Sequence, residues 1–177
     1  MSDKFKQKSV NASMSISVNG KAAISKDEGF SAYPYNDQAK HCTVGTGILL
    51  SLAPCTPKQK TTQYDIDKLS QTFHARLQEA EGYVRHYVRE TALTQEQYDS
   101  LTSFVFNVGV GNAQEALALA NFGEYQKVAN EMAKFINVKI KDKNGKVHLQ
   151  KSNGLIKRRN REMAAFMLKK VESHTAK

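Results

Sequence analysis

The sequence predicts an α+β protein that is mainly helical and folds as two lobes. Three patterns carry this prediction: a β-hairpin pattern near the N-terminus, a long amphipathic helical pattern after it, and later helical patterns interrupted by a second hairpin. Because one long helix separates two groups of shorter elements, we expect a single domain with a connecting helix. Its parts are an N-terminal lobe over 15–62, the connecting helix over 63–90 and a C-terminal lobe over 91–172.

The composition is that of a soluble globular protein, with 177 residues of which 40% are hydrophobic and 24% charged. No apolar run is long enough to predict a transmembrane segment. The basic N-terminus is followed by a polar stretch rather than an apolar one, which is unlike a signal peptide. Residues 1–14 have no hydrophobic periodicity, and we expect a disordered extension there.

The first elements predicted are a helix and a hairpin. The helix is expected over 17–28, because Gly29 stands where helices commonly end in a left-handed turn. Polar and apolar residues then alternate over 30–35, a polar turn occupies 36–40, and the chain returns over 42–47. The end of the helix and the hairpin can therefore face each other across a groove.

Three side chains suited to acid–base chemistry fall on this stretch, namely Glu28, Asp37 and Thr43. Glycoside hydrolysis needs one carboxylic acid to protonate the leaving oxygen and one ionised carboxylate opposite it. Glu28 is the better candidate acid, because apolar surroundings near Phe30 disfavour the charged form of a carboxyl. Asp37 lies on a polar turn and should stay ionised, and the Thr43 hydroxyl can orient a water beside it.

Each of these residues also has a purely structural interpretation. Asp37 is a common type of turn residue, and Thr43 is a common type of strand residue. Asp27, the neighbour of Glu28, is expected to face elsewhere, at the surface.

The two cysteines, Cys42 and Cys55, lie thirteen positions apart and flank the end of the hairpin. One interpretation is a disulfide that joins the return strand to the loop after it, which would stabilise the fold by roughly 3 kcal/mol in the chain-entropy model. The other is a pair of buried free thiols in a reducing cytoplasm. The five histidines show no metal-ligand spacing with the cysteines, so we expect no metal site and no cofactor.

The sequence predicts helices in the middle of the chain. Thr56-Pro57 predicts a helix start, and apolar residues at spacings of three and four over 66–88 predict the connecting helix, broken or bent around Gly82. Thr94 with Gln97 forms a capping-box pattern before a strongly apolar helix that ends near Val108.

Asn107 stands at the end of that helix, before a turn expected over 109–112. It is a candidate substrate-binding residue, and its alternative role is to satisfy buried backbone groups near the helix end. Two further helices are expected over 113–120 and 125–136. Apolar residues then recur at every second position on either side of Asn144-Gly145. This pattern predicts a lysine-rich β-hairpin over 136–150.

The last predicted helix follows Gly154 and has an apolar side that includes Met163, Phe166, Met167 and Val171. Its other side is basic, with Lys157, Arg158, Arg159 and Arg161. Core packing of the apolar side is one interpretation, and contact of an amphipathic basic helix with an anionic membrane is the other.

The net charge of +9 is concentrated in this C-terminal region, because 134–170 holds twelve Lys and Arg against Asp142 and Glu162. This is either a solvated surface or an attraction to a polyanion, such as an anionic outer-membrane component or lipid. Nucleic acid is disfavoured, because no aromatic interleaving or nucleic-acid motif accompanies the charge.

Three separated blocks resemble the signature of phage-type lysozymes, glycoside hydrolase family 24, the muramidases that act as endolysins. The blocks are Glu28-Gly29 with Asp37 and Thr43-Val44-Gly45-x-Gly47, then 93–99 with 103–109, then 154–160. The resemblance spans roughly 18–168 and implies a lysozyme-like fold. It also implies Glu28 as acid, Asp37 as base or electrostatic partner, Thr43 as the water-positioning group, and inversion at the anomeric carbon.

The resemblance has further implications and some departures. Tyr35 and Asn107 are candidate substrate-binding residues, and Arg158 and Arg159 match a pair of arginines that we expect to act as scaffold and cleft-charge residues. Family members commonly have an aromatic residue where Thr46 stands and a His where Ile48 stands, which puts the rigidity of the hairpin in doubt rather than the reaction.

The function implied is hydrolysis of the β-1,4 bond between N-acetylmuramic acid and N-acetylglucosamine in peptidoglycan, by a monomer. An endolysin of this kind would stay in the host cytoplasm until a holin releases it to the cell wall. Three alternatives remain: an injected antibacterial muramidase, a peptidoglycan-binding module without hydrolysis, and membrane disruption by residues 151–177.

Overall fold

The computed structural model describes residues 8–37, 39–142 and 144–167. The elements follow in the order α1 (Val18–Glu28), β1 (Ser31–Asn36), β2 (Cys42–Gly45), β3 (Ile48–Ser51), α2 (Pro57–Thr61), α3 (Ile66–Tyr87), α4 (Gln95–Val108), α5 (Val110–Asn121), α6 (Tyr125–Met132), β4 (Asn137–Lys141), β5 (Val147–Lys151) and α7 (Asn153–Met167).

The predicted N-terminal hairpin is present and gains a third strand. β1, β2 and β3 form an antiparallel sheet in that order, with Tyr35 opposite Thr43. The chain turns from β2 into β3 at Gly45 and Gly47, whose φ angles of 63° and 86° suit glycine best. The predicted return strand of the hairpin ended at these glycines, so the sequence did not predict β3.

α1 packs on the helices that follow the sheet. Its N-cap Ser17 accepts a hydrogen bond from the backbone N–H of Gly20, and the backbone N–H of Ser17 donates to Asp99 of α4. Ile24 is fully buried in the same hydrophobic core as Tyr98, Leu101 and Phe104 of α4. α1 therefore lies with the C-terminal helices, whereas we expected it to be part of the N-terminal lobe.

α3 is the predicted connecting helix. Asp65 caps its first turn, and its buried residues recur at spacings of three and four from Leu69 to Val84. The helix continues through Gly82, so of the two alternatives, broken or bent, a break is wrong and a bend stays a prediction.

α4 forms the centre of the C-terminal lobe, and the capping box between Thr94 and Gln97 is confirmed. The turn predicted over 109–112 is wrong, because α5 begins at Val110. Gly109, with a φ angle of 78°, ends α4 and precedes α5 directly. A single residue with positive φ is thus enough to change the direction of the chain.

The second predicted hairpin is present as β4 and β5, which pair Val138 with Gln150 and Ile140 with His148. The helix predicted over 125–136 ends at Met132. α7 buries Phe166 as expected, but Met167 is exposed, and Val171 lies outside the described residues.

The described part of the predicted N-terminal extension is packed rather than disordered. Asn11 is 1% exposed, and its side chain donates to the backbone carbonyls of Val88 and Thr91 and accepts from the backbone N–H of Leu93. One polar side chain thus ties residues 9–14 to the loop between α3 and α4. Residues 1–7 lie outside the described part of the chain.

Candidate active site

Glu28 is the last residue of α1 and lies where α1, α7 and the β2–β3 turn meet. Its side chain is 16% exposed, and Oε1 accepts a hydrogen bond from Arg158 Nη1 at 2.5 Å. A Cβ atom added to Gly47 would lie 3.9 Å from Glu28 Oε2. One carboxyl oxygen is therefore held by α7, and the other faces the turn of the sheet.

Arg158 holds Glu28 in place. Its guanidinium is buried, with 4% of the side chain exposed, and it donates to Glu162 Oε1 at 3.1 Å and to the carbonyl of Ser103 at 3.1 Å. Several bonds in different directions fix a planar guanidinium more firmly than one ion pair can. The position of the Glu28 carboxyl is thus set by α4 and α7.

Asp27 is exposed, as expected, but it is paired. It forms an ion pair with Arg161 through both carboxyl oxygens, and its Oδ2 lies 3.4 Å from Arg158 Nε. The two acidic residues at the end of α1 therefore both meet arginines of α7.

The surroundings of Glu28 also differ from the expectation. Phe30 is 52% exposed and does not enclose the carboxyl in an apolar pocket. The group in contact with Glu28 is a guanidinium, which supplies hydrogen bonding and charge rather than desolvation alone.

Asp37 lies on the turn between β1 and β2, as predicted. Its Oδ1 accepts from the backbone N–H of His41 at 2.8 Å, and its Oδ2 lies 3.6 Å from His41 Nδ1. The Asp37 side chain is 33% exposed, so the carboxyl reaches solvent while the turn fixes its direction.

Thr43 lies on β2, opposite Tyr35 of β1. The threonine is buried, and its hydroxyl donates to the backbone carbonyl of Tyr35 at 3.3 Å. The sheet thus brings Thr43 and the candidate substrate-binding residue Tyr35 together, with Asp37 two residues beyond Tyr35.

Asn107 meets Arg159 rather than the residues of the sheet. Its Oδ1 accepts from Arg159 Nη2 at 2.7 Å. This contact satisfies part of a buried guanidinium rather than the backbone groups that we expected, and substrate binding by Asn107 stays a prediction.

Arg158 and Arg159, which lie on the predicted basic side of α7, are buried. Burial lowers the pKa of Arg159 to about 10, and Glu162 opposes this shift. Burial likewise raises the pKa of Glu162, against the effect of the two arginines. Arg159 also stacks on the Phe104 ring, 4.8 Å from its centroid.

Sequence reasoning missed the contacts between α1 and α7. The spacing of Arg158 and Arg159 to Glu162 is i to i+4 and i to i+3, which is the signal of ion pairs along a helix. That pattern could have indicated that both arginines are paired. It carries no information that Glu28 and Asp27 approach the same helix, 130 and 134 residues away.

Cys42 and Cys55 form a disulfide, which leaves no free cysteine in the part of the chain described here. The bond joins the start of β2 to the segment that enters α2. Among the described residues no group of His, Cys, Asp and Glu is arranged to hold a metal ion, and no helix there is long and apolar enough to cross a membrane.

Comparisons with known proteins agree with the fold. The family described as phage lysozyme matches residues 25–162. The endolysin of Acyrthosiphon pisum secondary endosymbiont phage 1 is 28% identical over 160 residues, which cover 86% of this chain and 98% of that protein.

The endolysin of Bacillus phage B103 is 39% identical over 90 residues, which cover 48% of this chain and 31% of that protein, so this chain matches about a third of its length. Among solved structures, the endolysin of Escherichia coli O157:H7 phage FAHEc1 superposes with a TM-score of 0.67 at 25% identity, covering 88% of this chain and 94% of that one. The predicted lysozyme-like α+β fold is thereby confirmed.

The matched range begins before Glu28, includes the sheet with Asp37 and Thr43, and ends at Glu162 of α7. It therefore contains every group from which the site has been built, and the chain belongs to the phage lysozyme family of peptidoglycan-hydrolysing enzymes.

Proposed function

We propose that this chain is an endolysin that hydrolyses the β-1,4 bond between N-acetylmuramic acid and N-acetylglucosamine, with Glu28 as the general acid. The observation that carries the proposal is the anchoring of Glu28 by Arg158 beside the sheet that bears Asp37 and Thr43. A carboxyl from a helix and a carboxyl from a sheet are the two groups that the reaction requires.

Arg158 donates to Glu28 Oε1, so the catalytic proton is carried by Oε2, the oxygen on the side of Gly47. In the first step this proton passes to the glycosidic oxygen as its bond to the anomeric carbon breaks. The departing sugar leaves as an alcohol, and positive charge develops on the ring that remains.

Asp37 and Thr43 act on the water. Asp37 Oδ1 is engaged by the backbone of His41, which leaves Oδ2 to accept a proton from a water. The Thr43 hydroxyl donates to the Tyr35 carbonyl, so its own oxygen accepts the second hydrogen of that water. Held by both hydrogens, the water directs a lone pair at the anomeric carbon on the face opposite the leaving group, and the configuration inverts.

The test is the substitution Glu28→Gln, with Glu115→Gln as the matched control. Both remove one negative charge, but Glu115 lies exposed on α5, away from the site. We expect Glu28→Gln to clear outer-membrane-stripped Gram-negative cells about 10²–10⁴-fold more slowly than the parent, and the control to match the parent. NMR of the first product formed should show the α-anomer.

Equal clearing by the parent and Glu28→Gln would contradict the proposal and shift the activity to the basic C-terminal region. If neither protein clears cells while both bind peptidoglycan, the chain is a wall-binding module. A first product in the β-configuration would be consistent with hydrolysis by this enzyme, but it would contradict inversion and thus the proposed role of Asp37.

We further propose that the enzyme acts as a monomer and remains in the host cytoplasm until a holin releases it, as its endolysin relatives suggest. Exposed lysines on the β4–β5 hairpin, such as Lys139 and Lys146, are suited to contact with anionic outer-membrane components. Nucleic acid has no part in this function. Delivery as an injected effector is the alternative, and dependence of lysis on a co-expressed holin distinguishes the two.

A further inference from the structure

A cavity of about 380 Å³ lies where α1, the start of α3 and the β2–β3 turn meet. Leu69 and Phe73 of α3 form its buried floor, Thr46 belongs to the turn, and α1 contributes Lys21 and Ser25. Its volume falls within the roughly 300–1,000 Å³ that is usual for small-molecule sites. Neither candidate catalytic carboxyl lines this cavity, so it is separate from the candidate active site.

Thr46 brings an unsatisfied polar group to the cavity. The residue is 5% exposed, and its hydroxyl is buried without a hydrogen-bond partner in the described part of the chain. Such a group costs stability, because it has given up its hydrogen bonds to water. Rotation about the Cα–Cβ bond turns the hydroxyl toward a molecule in the cavity, and the hydroxyl can donate as well as accept. A ligand that carries a hydroxyl of its own would therefore supply the missing bond.

The rest of the lining is suited to an aromatic ring with a negative charge. Phe73 is buried, and Phe30 lines the edge with 52% of its surface exposed, so both can pack against a ring. Lys21 is half-buried and His74 is exposed, and both side chains can donate hydrogen bonds to a carboxylate. Among the described residues no Asp or Glu lines the cavity. Its edge therefore attracts an anion.

The cavity adjoins the chain on both sides of the candidate acid. Ser25 lies about one helical turn before Glu28 in α1, and Phe30 follows shortly after it. Thr46 directly precedes Gly47, where an added Cβ would lie 3.9 Å from Glu28 Oε2. A molecule bonded to Thr46 therefore acts on the turn that faces this carboxyl oxygen.

We propose that the cavity is an effector site, where a small aromatic acid binds and activates the enzyme. The ring packs against Phe30 and Phe73, the carboxylate pairs with Lys21, and a hydroxyl on the ring bonds to Thr46. This bond favours one position of the turn beside Glu28 and so raises kcat. The effect on kcat rests on the proposed function, whereas binding in the cavity does not.

Titration calorimetry with para-hydroxybenzoate tests the binding step. We expect saturable binding by the parent, and about tenfold weaker binding of benzoate, which lacks the hydroxyl. Thr46→Val keeps the shape of the side chain without its hydroxyl. It should therefore weaken para-hydroxybenzoate about tenfold and leave benzoate unchanged. Thr46→Ser keeps the hydroxyl and should bind para-hydroxybenzoate nearly as the parent does.

A second variant tests the recognition of the carboxylate. Lys21→Gln should weaken para-hydroxybenzoate about tenfold and leave the weaker binding of phenol, which has no carboxylate, unchanged. Lys26→Gln removes the same charge from an exposed lysine of the same helix that does not line the cavity. This control should bind like the parent. Thermal unfolding without ligand shows which variants are folded.

Initial rates of peptidoglycan hydrolysis test the effect on the enzyme. Saturating para-hydroxybenzoate should raise kcat of the parent about fivefold and leave KM unchanged. At the same concentration it should have little effect on Thr46→Val, whose turn gains no bond from the ligand.

Absence of saturable binding would overturn the proposal, as would binding that is unchanged in both Thr46→Val and Lys21→Gln. Competition between the probe and glycan strands would also overturn it, because the probe would then lie in the active site. Binding as expected without a rise in kcat would overturn the effector role. If the parent hydrolyses no peptidoglycan, the proposed function is wrong, while calorimetry still decides whether the cavity binds the probe.

Discussion

At the scale of single residues, the site depends on side chains that are held from several directions. Arg158 is bonded to Glu28, Glu162 and Ser103 at once, so a shift of α7 moves the acid with it. Removal of this guanidinium would take one partner from each of three carboxylates, of which Asp27 and the buried Glu162 keep an arginine and Glu28 loses the ion pair that holds it. The geometry of Glu28 is therefore a property of the C-terminal lobe as much as of α1.

Tyr98 gives a prediction about pH at this scale. Burial raises the pKa of its hydroxyl to about 12, and the hydroxyl accepts from Arg85 Nη1 at 2.7 Å. The unfolded chain loses this proton near pH 10 and the folded chain only near pH 12. Stability should therefore fall as the pH rises from 10 to 12, by roughly 2–3 kcal/mol from this group.

Urea unfolding of the parent and Tyr98→Phe at pH 8, 10, 11 and 12 measures this effect. The variant should be less stable at pH 8, because it lacks the hydroxyl contacts. The difference between the two proteins should shrink toward pH 12. A difference that stays constant across this range would show that the Tyr98 proton is not linked to folding.

Local sequence pattern was enough to select the candidate catalytic residues, but not the side chains that hold them. Glu28, Asp37 and Thr43 lie within sixteen consecutive residues, so local motif spacing is sufficient to propose them. Arg158 was assigned to a scaffold role without its contact to Glu28, because no local pattern encodes a contact across 130 residues. The ion pair between Asp27 and Arg161 was missed for the same reason.

At the scale of elements, the β2–β3 turn controls the space beside Glu28 Oε2. Gly47 has a φ of 86°, and a Cβ there would approach that oxygen to 3.9 Å. Gly47→Ala should destabilise the protein by about 1 kcal/mol through the left-handed backbone, without a direct clash. It should also lower kcat, because the turn adjusts next to the acid.

Gly82→Ala is the matched control, since it makes the same change inside α3, where an added Cβ meets nothing within 4 Å. This variant should be more stable than the parent by about 0.5–1 kcal/mol. Calorimetric midpoints and initial rates of the two variants form the measurement. Equal shifts in both midpoints would show that backbone conformation at Gly47 does not matter.

Element boundaries were predicted well where a cap or a turn signal is local. Thr56, Thr94 and Asn144-Gly145 each mark an element that the structure contains. The boundaries are less predictable at glycines: Gly82 does not break its helix, and Gly109 separates two helices by itself. A glycine permits several conformations, and the packing around it decides which one is adopted.

At the scale of the whole molecule, the disulfide closes the sheet onto the segment that enters α2. Cys42 is fully buried, so we expect reduction to require local opening. Once reduced, the protein should lose roughly 3 kcal/mol of stability, because the bond closes a loop over a sequence separation of 13.

Unfolding in denaturant with and without dithiothreitol measures this effect, and a Cys42→Ser, Cys55→Ser double variant serves as the control for the reductant. If the unfolding transitions of the oxidised and reduced protein coincide, the disulfide does not contribute to stability and the prediction is wrong. The sequence left the state of these cysteines open, because spacing alone does not distinguish a disulfide from two nearby thiols.

The partition into lobes was the least predictable feature at this scale. α1 precedes the sheet in the chain yet shares its core with α4, because Ile24 finds its apolar partners there. The packing of residues 9–14 was also missed, since it depends on the hydrogen bonds of Asn11 rather than on any periodicity.

The bond between Glu28 and Arg158 has a consequence for the order of events during synthesis. Glu28, Asp37 and Thr43 leave the ribosome early, whereas α7 is among the last helices to be made. Until α7 docks, the acid has no guanidinium to orient it. A nascent chain interrupted before Arg158 thus carries the whole proposed acid–base set and lacks the contact that orients Glu28. On this proposal, peptidoglycan hydrolysis begins only after nearly the entire domain has been translated.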